Sequence, residues 1–97
     1  MSVGTVGLMS RGFVYFLRNP KNKRIYIGCT DDIDRRFYQH QRGNVKATRL
    51  LRPLQLEFYQ EFDCLETARK IEAKLKRLKR KDYIEKIIKD RVIKMGR

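Results

Sequence analysis

Two short runs rich in β-branched and aromatic side chains, Phe13-Val14-Tyr15-Phe16-Leu17 and Arg24-Ile25-Tyr26-Ile27-Gly28, stand close together near the start of the chain. Such runs favour extended backbone because branched and aromatic side chains pack well on a pleated surface. Between them lies Asn19-Pro20-Lys21-Asn22-Lys23, where proline fixes φ and the asparagines tolerate left-handed backbone. This is turn chemistry, and the two runs form a β-hairpin. A hairpin alone is at best marginally stable in water, so the rest of the chain must cover its faces.

The downstream pattern supplies that cover. Thr30 is placed to cap a helix whose first turn carries Asp31, Asp32 and Asp34, where the helix dipole favours acids. Ile33 and Phe37 mark its apolar face, Arg36 and His40 form a parallel row one step round, and the helix is expected to end near Gly43. From Gly43 to Pro53 the chain carries Lys46, Arg49 and Arg52 and no acid, which reads as a basic loop suited to a phosphate backbone. Leu54, Leu56, Phe58, Gln60 and Phe62 alternate with Gln55, Glu57, Tyr59 and Glu61, the period of a third strand, with parallel or antiparallel pairing open. Asp63 with Glu66 has the spacing of a capping box before Ala68, Ile71, Leu75 and Leu78 at helical spacing. Asp82 with Glu85 repeats the signal before Ile84, Ile87, Ile88 and Arg91, with Lys79-Arg80-Lys81 separating the two helices. The order is β-β-α-β-α-α. It implies an α+β (α/β) class fold with a small three-stranded, mainly antiparallel sheet flanked by helices.

Length and charge narrow the function. Ninety-seven residues close one core and leave no room for a second, so we expect an N-terminal appendage over 1–11, one domain over 12–92 and a basic tail over 93–97. Met9, just ahead of the first strand, is a second candidate translation start. At 41% apolar residues the chain is too hydrophobic for a disordered basic tail. Against 11 acids stand 24 Lys plus Arg, a net charge of +13, and such a field concentrates polyanions, nucleic acid foremost. An anionic membrane surface is the competing partner. The longest charge-free stretch, Met1 to Ser10, is too short to span a bilayer and lacks the features of a secretory signal, so a cytoplasmic protein with no membrane partner is expected. Cys29 and Cys64 lack the spacing of a zinc site or a disulfide scaffold and are expected to remain thiols.

Several residues could do chemistry, and each has a plainer alternative. Tyr15 and Tyr26 face each other plausibly across the hairpin, yet strand tyrosines are usually packing residues. Arg36 and His40 share one helix face, which could be a solvated basic face. Glu72 sits in the basic stretch Arg69-Lys70-Ile71-Glu72-Ala73-Lys74-Leu75-Lys76, where it could simply pair with Lys76 one turn on. Together they suit phosphodiester hydrolysis, which needs a proton acceptor, a cation for the phosphate and often a carboxylate to seat a divalent metal.

Val14-Tyr15-Phe16, Tyr26-Ile27-Gly28, the stretch from Cys29 to His40 with Arg36, and Glu72 four residues before Lys76 resemble the signature of the GIY-YIG nuclease superfamily. The resemblance runs from about Gly12 to about Lys81. Its Tyr-Ile-Gly half is literal, whereas in the first half Gly12 stands one position too early and Val14 precedes Tyr15. The tract from Lys46 to Pro53 and the short length resemble the stand-alone, single-domain bacterial branch, which is similar to the nuclease domain of the incision enzyme of excision repair. Some members carry an asparagine after the metal-binding glutamate; this chain has none after Asn44.

The resemblance implies a DNA endonuclease acting with one Mg²⁺ or Mn²⁺ ion on branched, flapped or damaged DNA, a setting such as DNA repair. Tyr15 would orient or deprotonate the attacking water with Tyr26 as partner or alternative base, and Arg36 would hold the phosphate. His40 would bond a phosphate oxygen or relay a proton, and Glu72 would be the sole protein ligand to the metal. Lys46, Arg49, Arg52, Lys74, Arg77 and Lys81 are candidates for backbone contacts, with ordinary solubilising charge as their alternative. The competing class is a non-catalytic nucleic-acid-binding module that keeps the fold. A third expectation is a nuclease domain that takes its targeting from a partner protein.

Overall fold

The structure, a computed structural model, describes residues 11–94. The alternative start at Met9 and most of the expected appendage lie outside those residues, as does the end of the expected tail. Three strands, β1 (Gly12–Arg18), β2 (Ile25–Thr30) and β3 (Gln55–Phe62), and three helices, α1 (Ile33–Gln41), α2 (Leu65–Leu78) and α3 (Lys81–Asp90), follow the order β-β-α-β-α-α. A short 3-10 turn, Arg49–Leu51, precedes β3. The sheet order is β2-β1-β3 and both pairings of the central strand are antiparallel, which settles the orientation of β3.

The hairpin turn is organised by Asn19, buried, whose side-chain oxygen accepts from the backbone of Lys21 at 2.8 Å and Asn22 at 3.2 Å. Its amide donates to Leu51 O at 2.7 Å, tying the turn to the loop before β3. The left-handed residue in this turn is Lys23, with φ of 65°, rather than either asparagine. The asparagine side chains are occupied as acceptors of backbone N–H groups, and the positive φ falls one residue later.

Each face of the sheet is covered by different elements. Val14 and Phe16 on one face pack with Phe58 of β3 and with Ala68, Ile71, Leu75, Ile84 and Ile87, the apolar sides of α2 and α3. Tyr15 and Leu17 on the other pack with Leu54, Leu56, Ile33 and Phe37, beneath α1. Leu78, expected in the apolar stripe of α2, is 47% exposed at that helix's last turn. Ile93 is in the first core, 5% exposed, and its N–H donates to Gln60 Oε1 at 2.8 Å, so packing continues past α3.

The expectation that Leu54 through Phe62 keep one face fails at a β-bulge. Phe16 lies opposite Phe58 but Leu17 lies opposite Leu56, leaving Glu57 as the extra residue. The alternation changes faces there: Leu54 and Leu56 join the α1 side, whereas Phe58 and Phe62 join the α2 side. The Glu57 carbonyl accepts from Arg91 Nη1 at 2.8 Å, and that guanidinium also lies over the Phe58 ring. Arg18 contacts the Glu57 carboxylate at 3.7 Å and forms a two-pronged pair with Glu85, both bonds 2.8 Å.

Helix starts also differ from the spacing argument. Asp32, not Thr30, caps α1 by accepting from Arg35 N at 3.0 Å, while Thr30 Oγ1 accepts from Asp32 N and sets the approach. Cys64 rather than Asp63 is the N-cap of α2, and Arg80 that of α3, so Asp82 falls inside the first turn. The early glycine has a packing role of its own: a Cβ on Gly12 would lie 2.6 Å from Leu65 Cα and 2.9 Å from Ala68 Cβ. Its missing side chain lets α2 sit on the first strand. Gly12→Ala is therefore expected to destabilise the fold by about 1–3 kcal/mol, the usual cost of overpacking against backbone, measured as a lower urea midpoint at unchanged slope.

Candidate active site

The second face of the sheet presents Tyr15 from β1 and Tyr26 from β2. Tyr15 lies opposite Gly28 and Tyr26 opposite Leu17, so the tyrosines are diagonal neighbours, not the directly opposed pair that sequence suggested. Their ring centroids are 6.4 Å apart. Gly28 is needed at this spot because any Cβ would overlap the ring and hydroxyl of Tyr15. The glycine of Tyr-Ile-Gly is thus a space for the other tyrosine.

Helix α1 closes the group. With Ile33 and Phe37 seated on the sheet, Arg36 and His40 face the tyrosines, as their i, i+4 spacing requires. His40 is fully buried, its ring 5.5 Å from that of Tyr15 and 5.3 Å from that of Tyr26. Tyr15 Oη lies 2.7 Å from His40 Nε2, and His40 Nδ1 lies 2.6 Å from Thr48 Oγ1. The Arg36 guanidinium, which can only donate, lies beside Tyr15 and acts to lower the pKa of its phenol. The tautomer with Nδ1–H donating to Thr48 leaves Nε2 free to accept the phenolic proton, and the two distances fit this tautomer and its reverse alike.

This arrangement keeps both groups uncharged. Burial pushes the Tyr15 phenol up to about 12, against the lowering effect of Arg36. Burial, with the Arg36 charge in support, pushes His40 down to about 4. In the resting site the phenol thus holds its proton firmly and the imidazole is a neutral acceptor. Moving that proton from a group at about 12 to one at about 4 costs on the order of ten kcal/mol, so the pair becomes a base only when additional positive charge arrives.

Glu72 comes from the opposite layer. It lies on the flank of α2 beside the edge strand β2, where its charge raises both the Tyr15 phenol and the Cys29 thiol. The Cys29 thiol stands at about 11, chiefly through burial, and supplies no nucleophile. The Glu72 carboxylate pairs with Lys76 Nζ at 3.0 Å, the plainer expectation for it, and that ammonium lies 5.3 Å from the Tyr26 ring centroid. Glu72 is thus joined to the tyrosines through Lys76. Among the described residues no cluster of three or more metal-ligating side chains exists. One half-buried carboxylate at the edge of the group nevertheless fits a hard divalent cation, which commonly takes one or two carboxylates and completes its shell with water and phosphate.

The structure brings Tyr15, Tyr26, Arg36 and His40 into one contact group with Glu72 at its edge. The six backbone-contact candidates are placed less uniformly. Arg49 Nε donates to Gly43 O at 3.0 Å and Arg52 Nε to Arg49 O at 3.0 Å, so both brace their own loop. Lys46 is exposed on that loop, and Arg77 and Lys81 are exposed on α2 and α3. At about 100° per residue, Glu72 and Lys76 share one row of α2, whereas Lys74 and Arg77 turn towards the other side. Thr48 and Lys76 were missed by sequence reasoning as site residues. A lone threonine in a basic loop carries no signal of its own, but Lys76 at i+4 from Glu72 does.

A family model described as the GIY-YIG catalytic domain matches residues 11–87. The chain belongs to the GIY-YIG family. GIY-YIG domains are a nuclease family, and among similar proteins is a UPF0213 protein of Vibrio parahaemolyticus, 46% identical over 66 residues, covering 67% of this chain and 61% of the relative. A UPF0213 protein of Syntrophus aciditrophicus is 32% identical over 81 residues, 81% of this chain and 92% of the relative. One from Staphylococcus saprophyticus is 30% identical over 80 residues, 81% and 96%. The chain spans less than two thirds of the length of the two Vibrio relatives from V. parahaemolyticus and V. campbellii, 61% and 65%. The relatives carry the name UPF0213 protein, which states no activity. No solved structure matches the chain. No helix among the described residues is long and apolar enough to cross a membrane.

A neutral buried histidine makes the fold acid-sensitive. The folded pKa of His40 lies below its ordinary 6.5, so the folded state binds fewer protons than the unfolded state. Its contribution is complete above pH 6.5 and is lost as the pH falls towards about 4, on the order of 3 kcal/mol in all. Urea unfolding across that window is expected to show a steeper acid loss for the wild type than for His40→Gln; parallel profiles would mean that His40 is protonated in the fold.

Proposed function

We propose that this chain hydrolyses DNA phosphodiester bonds as a divalent-metal-dependent endonuclease, with branched, flapped or damaged DNA as substrate class and DNA repair in the cytoplasm as setting. What carries this reading is the contact group of buried Tyr15 and His40 with half-buried Tyr26 and Arg36, with one carboxylate at its edge, in a chain of net charge +13. A binding surface alone gives no reason to bury a Tyr–His hydrogen bond beside a guanidinium.

In this reading Arg36 holds the non-bridging phosphate oxygens and stabilises the extra negative charge of the pentavalent state. Tyr15 orients the attacking water and takes its proton as its own passes to His40 Nε2, and Thr48 holds the imidazole in the tautomer that can accept. Tyr26, packed on His40, is the hydrogen-bonding partner or alternative acceptor. Glu72 would hold one Mg²⁺ or Mn²⁺, released from its pairing with Lys76, and when bound that ion supplies positive charge for the phenoxide and the leaving oxygen. Lys46, Lys74, Arg77 and Lys81 are proposed to meet the DNA backbone, and Arg49 and Arg52 to do so only with those faces of their guanidinium groups not committed to the loop. A protein partner is proposed to supply targeting.

One observation favours the second reading, a nucleic-acid-binding module without catalysis: the Glu72 carboxylate is already neutralised by Lys76 at 3.0 Å. Cleavage of labelled linear, single-stranded, flapped and four-way DNA with Mg²⁺ or Mn²⁺ separates the two. The nuclease reading expects cutting that Glu72→Gln lowers by about 100-fold or more while DNA affinity stays nearly unchanged, and Arg36→Ala to lower turnover by about 100- to 1,000-fold. Binding without cutting of any substrate, or equal cutting by Glu72→Gln, would support the module instead.

A further inference from the structure

Beside the tyrosines, between the hairpin turn and the junction of α2 with α3, runs a groove of about 490 Å³. Lys23 and Arg24 form one rim; Lys76, Lys79, Arg80 and Lys81 form the other. The floor is apolar, with half-buried Ile25 and Ile27 of the edge strand above Leu75 and Ile84. Among the described residues no acidic side chain lines it. Arg80 is paired with Asp82 at 2.9 Å, and Glu85, whose charge Lys23 and Lys81 feel, is clamped by Arg18. Tyr26 and Lys76 belong both to this groove and to the contact group around His40, so the two are continuous.

The backbone marks the same two rims. Among the described residues three other than glycine have positive φ: Lys23 at 65°, Lys79 at 51° and Arg91 at 62°. Such backbone costs a bulky L-residue energy and is ordinarily given to glycine or asparagine. Arg91 repays it with a hydrogen bond to Glu57 O and a place over Phe58. The side chains of Lys23 and Lys79 make no hydrogen bond or ion pair within the described residues. Strained backbone kept by a residue whose side chain forms no hydrogen bond or ion pair inside the protein points to a ligand outside it.

We propose that this groove seats an unpaired nucleic-acid strand leading away from the scissile phosphate, its phosphates on the lysine rims and its bases on the isoleucine floor. The inference deepens the nuclease reading and rests on it for the position of the scissile phosphate. A duplex offers phosphates but keeps its base faces stacked inside, so it would use the rims and leave the floor untouched. An unpaired strand offers both, phosphates to the cationic rims as in other single-strand grooves and exposed base faces to the apolar floor. An acidic peptide along the edge strand would match the charge, but it has no flat faces for the floor. The preferred DNA is therefore one with a single-stranded branch or overhang at the cut.

Binding is measured by fluorescence anisotropy on the full chain with chelator and no divalent metal, so that no cutting intervenes. The probes are a blunt duplex, the same duplex with a single-stranded overhang, and the overhang strand alone, with polyglutamate as competitor. The overhang duplex is expected to bind about tenfold more tightly than the blunt one. Lys23→Gly with Lys79→Gly is expected to keep or raise Tm, because glycine suits both backbones, yet to abolish that tenfold preference. Its slope of log K against log salt should fall by about 1.4, for two lost phosphate contacts on a single strand. The proposal is overturned if the double variant keeps the overhang preference, if blunt and overhang DNA bind alike and lose equally, or if polyglutamate competes as well as the overhang strand. Cutting by the wild type with no overhang preference would sink the groove and leave the nuclease reading standing. Overhang binding lost in the variant, with no cutting under any metal, would do the reverse.

Discussion

The hydrogen bond between Tyr15 and His40, 2.7 Å long and wholly buried, is the constraint on which the site depends. It joins the central strand to α1, and through Thr48 it also anchors the loop that leads to β3. A buried imidazole with either nitrogen unpaired would cost several kcal/mol, so the phenol and the threonine hydroxyl are obligatory partners. Gly28 has no side chain because this tyrosine lies across it. Burial of the pair beside Arg36 holds the imidazole neutral and the phenol protonated, which is the chemical content of the site.

The division of the sheet into two faces explains how acid and base groups are kept apart. The face under α1 carries the tyrosines, Arg36 and His40, while α2 and α3 fill the other with aliphatic side chains. Glu72 reaches the group from the far layer past edge strand β2. A carboxylate placed on the sheet itself would have had to be buried beside the tyrosines. From the flank of a helix it stays half exposed, with Lys76 as its resting counter-charge. The bulge at Glu57 serves the same division, since it lets one strand give Leu54 and Leu56 to the first face and Phe58 to the second.

The element order, the hairpin and the grouping of Tyr15, Tyr26, Arg36 and His40 were legible because each rests on local pattern: β-branched runs, a proline turn, i and i+4 spacing, and a family signature. The bulge was not, because Leu54 to Phe62 alternate without a break and only pairing with β1 shows that Glu57 is surplus. The caps were misplaced by one or two residues for a physical reason. Thr30, Asp32, Asp63 and Asp82 all offer side-chain oxygens, and which one meets a helix N–H depends on how the chain enters the turn. Thr48 was hidden because its role exists only once α1 has carried His40 to it. The left-handed Lys23 and Lys79 ran against the usual preference for glycine or asparagine, and residues that break a local rule are where function is to be sought.

The chain has a single histidine, so its imidazole can be observed without ambiguity. Long-range ¹H–¹⁵N correlation spectra of the uniformly labelled protein, taken from neutral pH into acid, report the tautomer and charge of that ring directly. The expected result is a neutral ring with the proton on Nδ1 and a bare Nε2, persisting until the pH approaches about 4. A proton on Nε2 at neutral pH, or an imidazolium already formed near its ordinary 6.5, would contradict a Tyr15 proton directed at His40 and with it the proposed route for the proton of the attacking water.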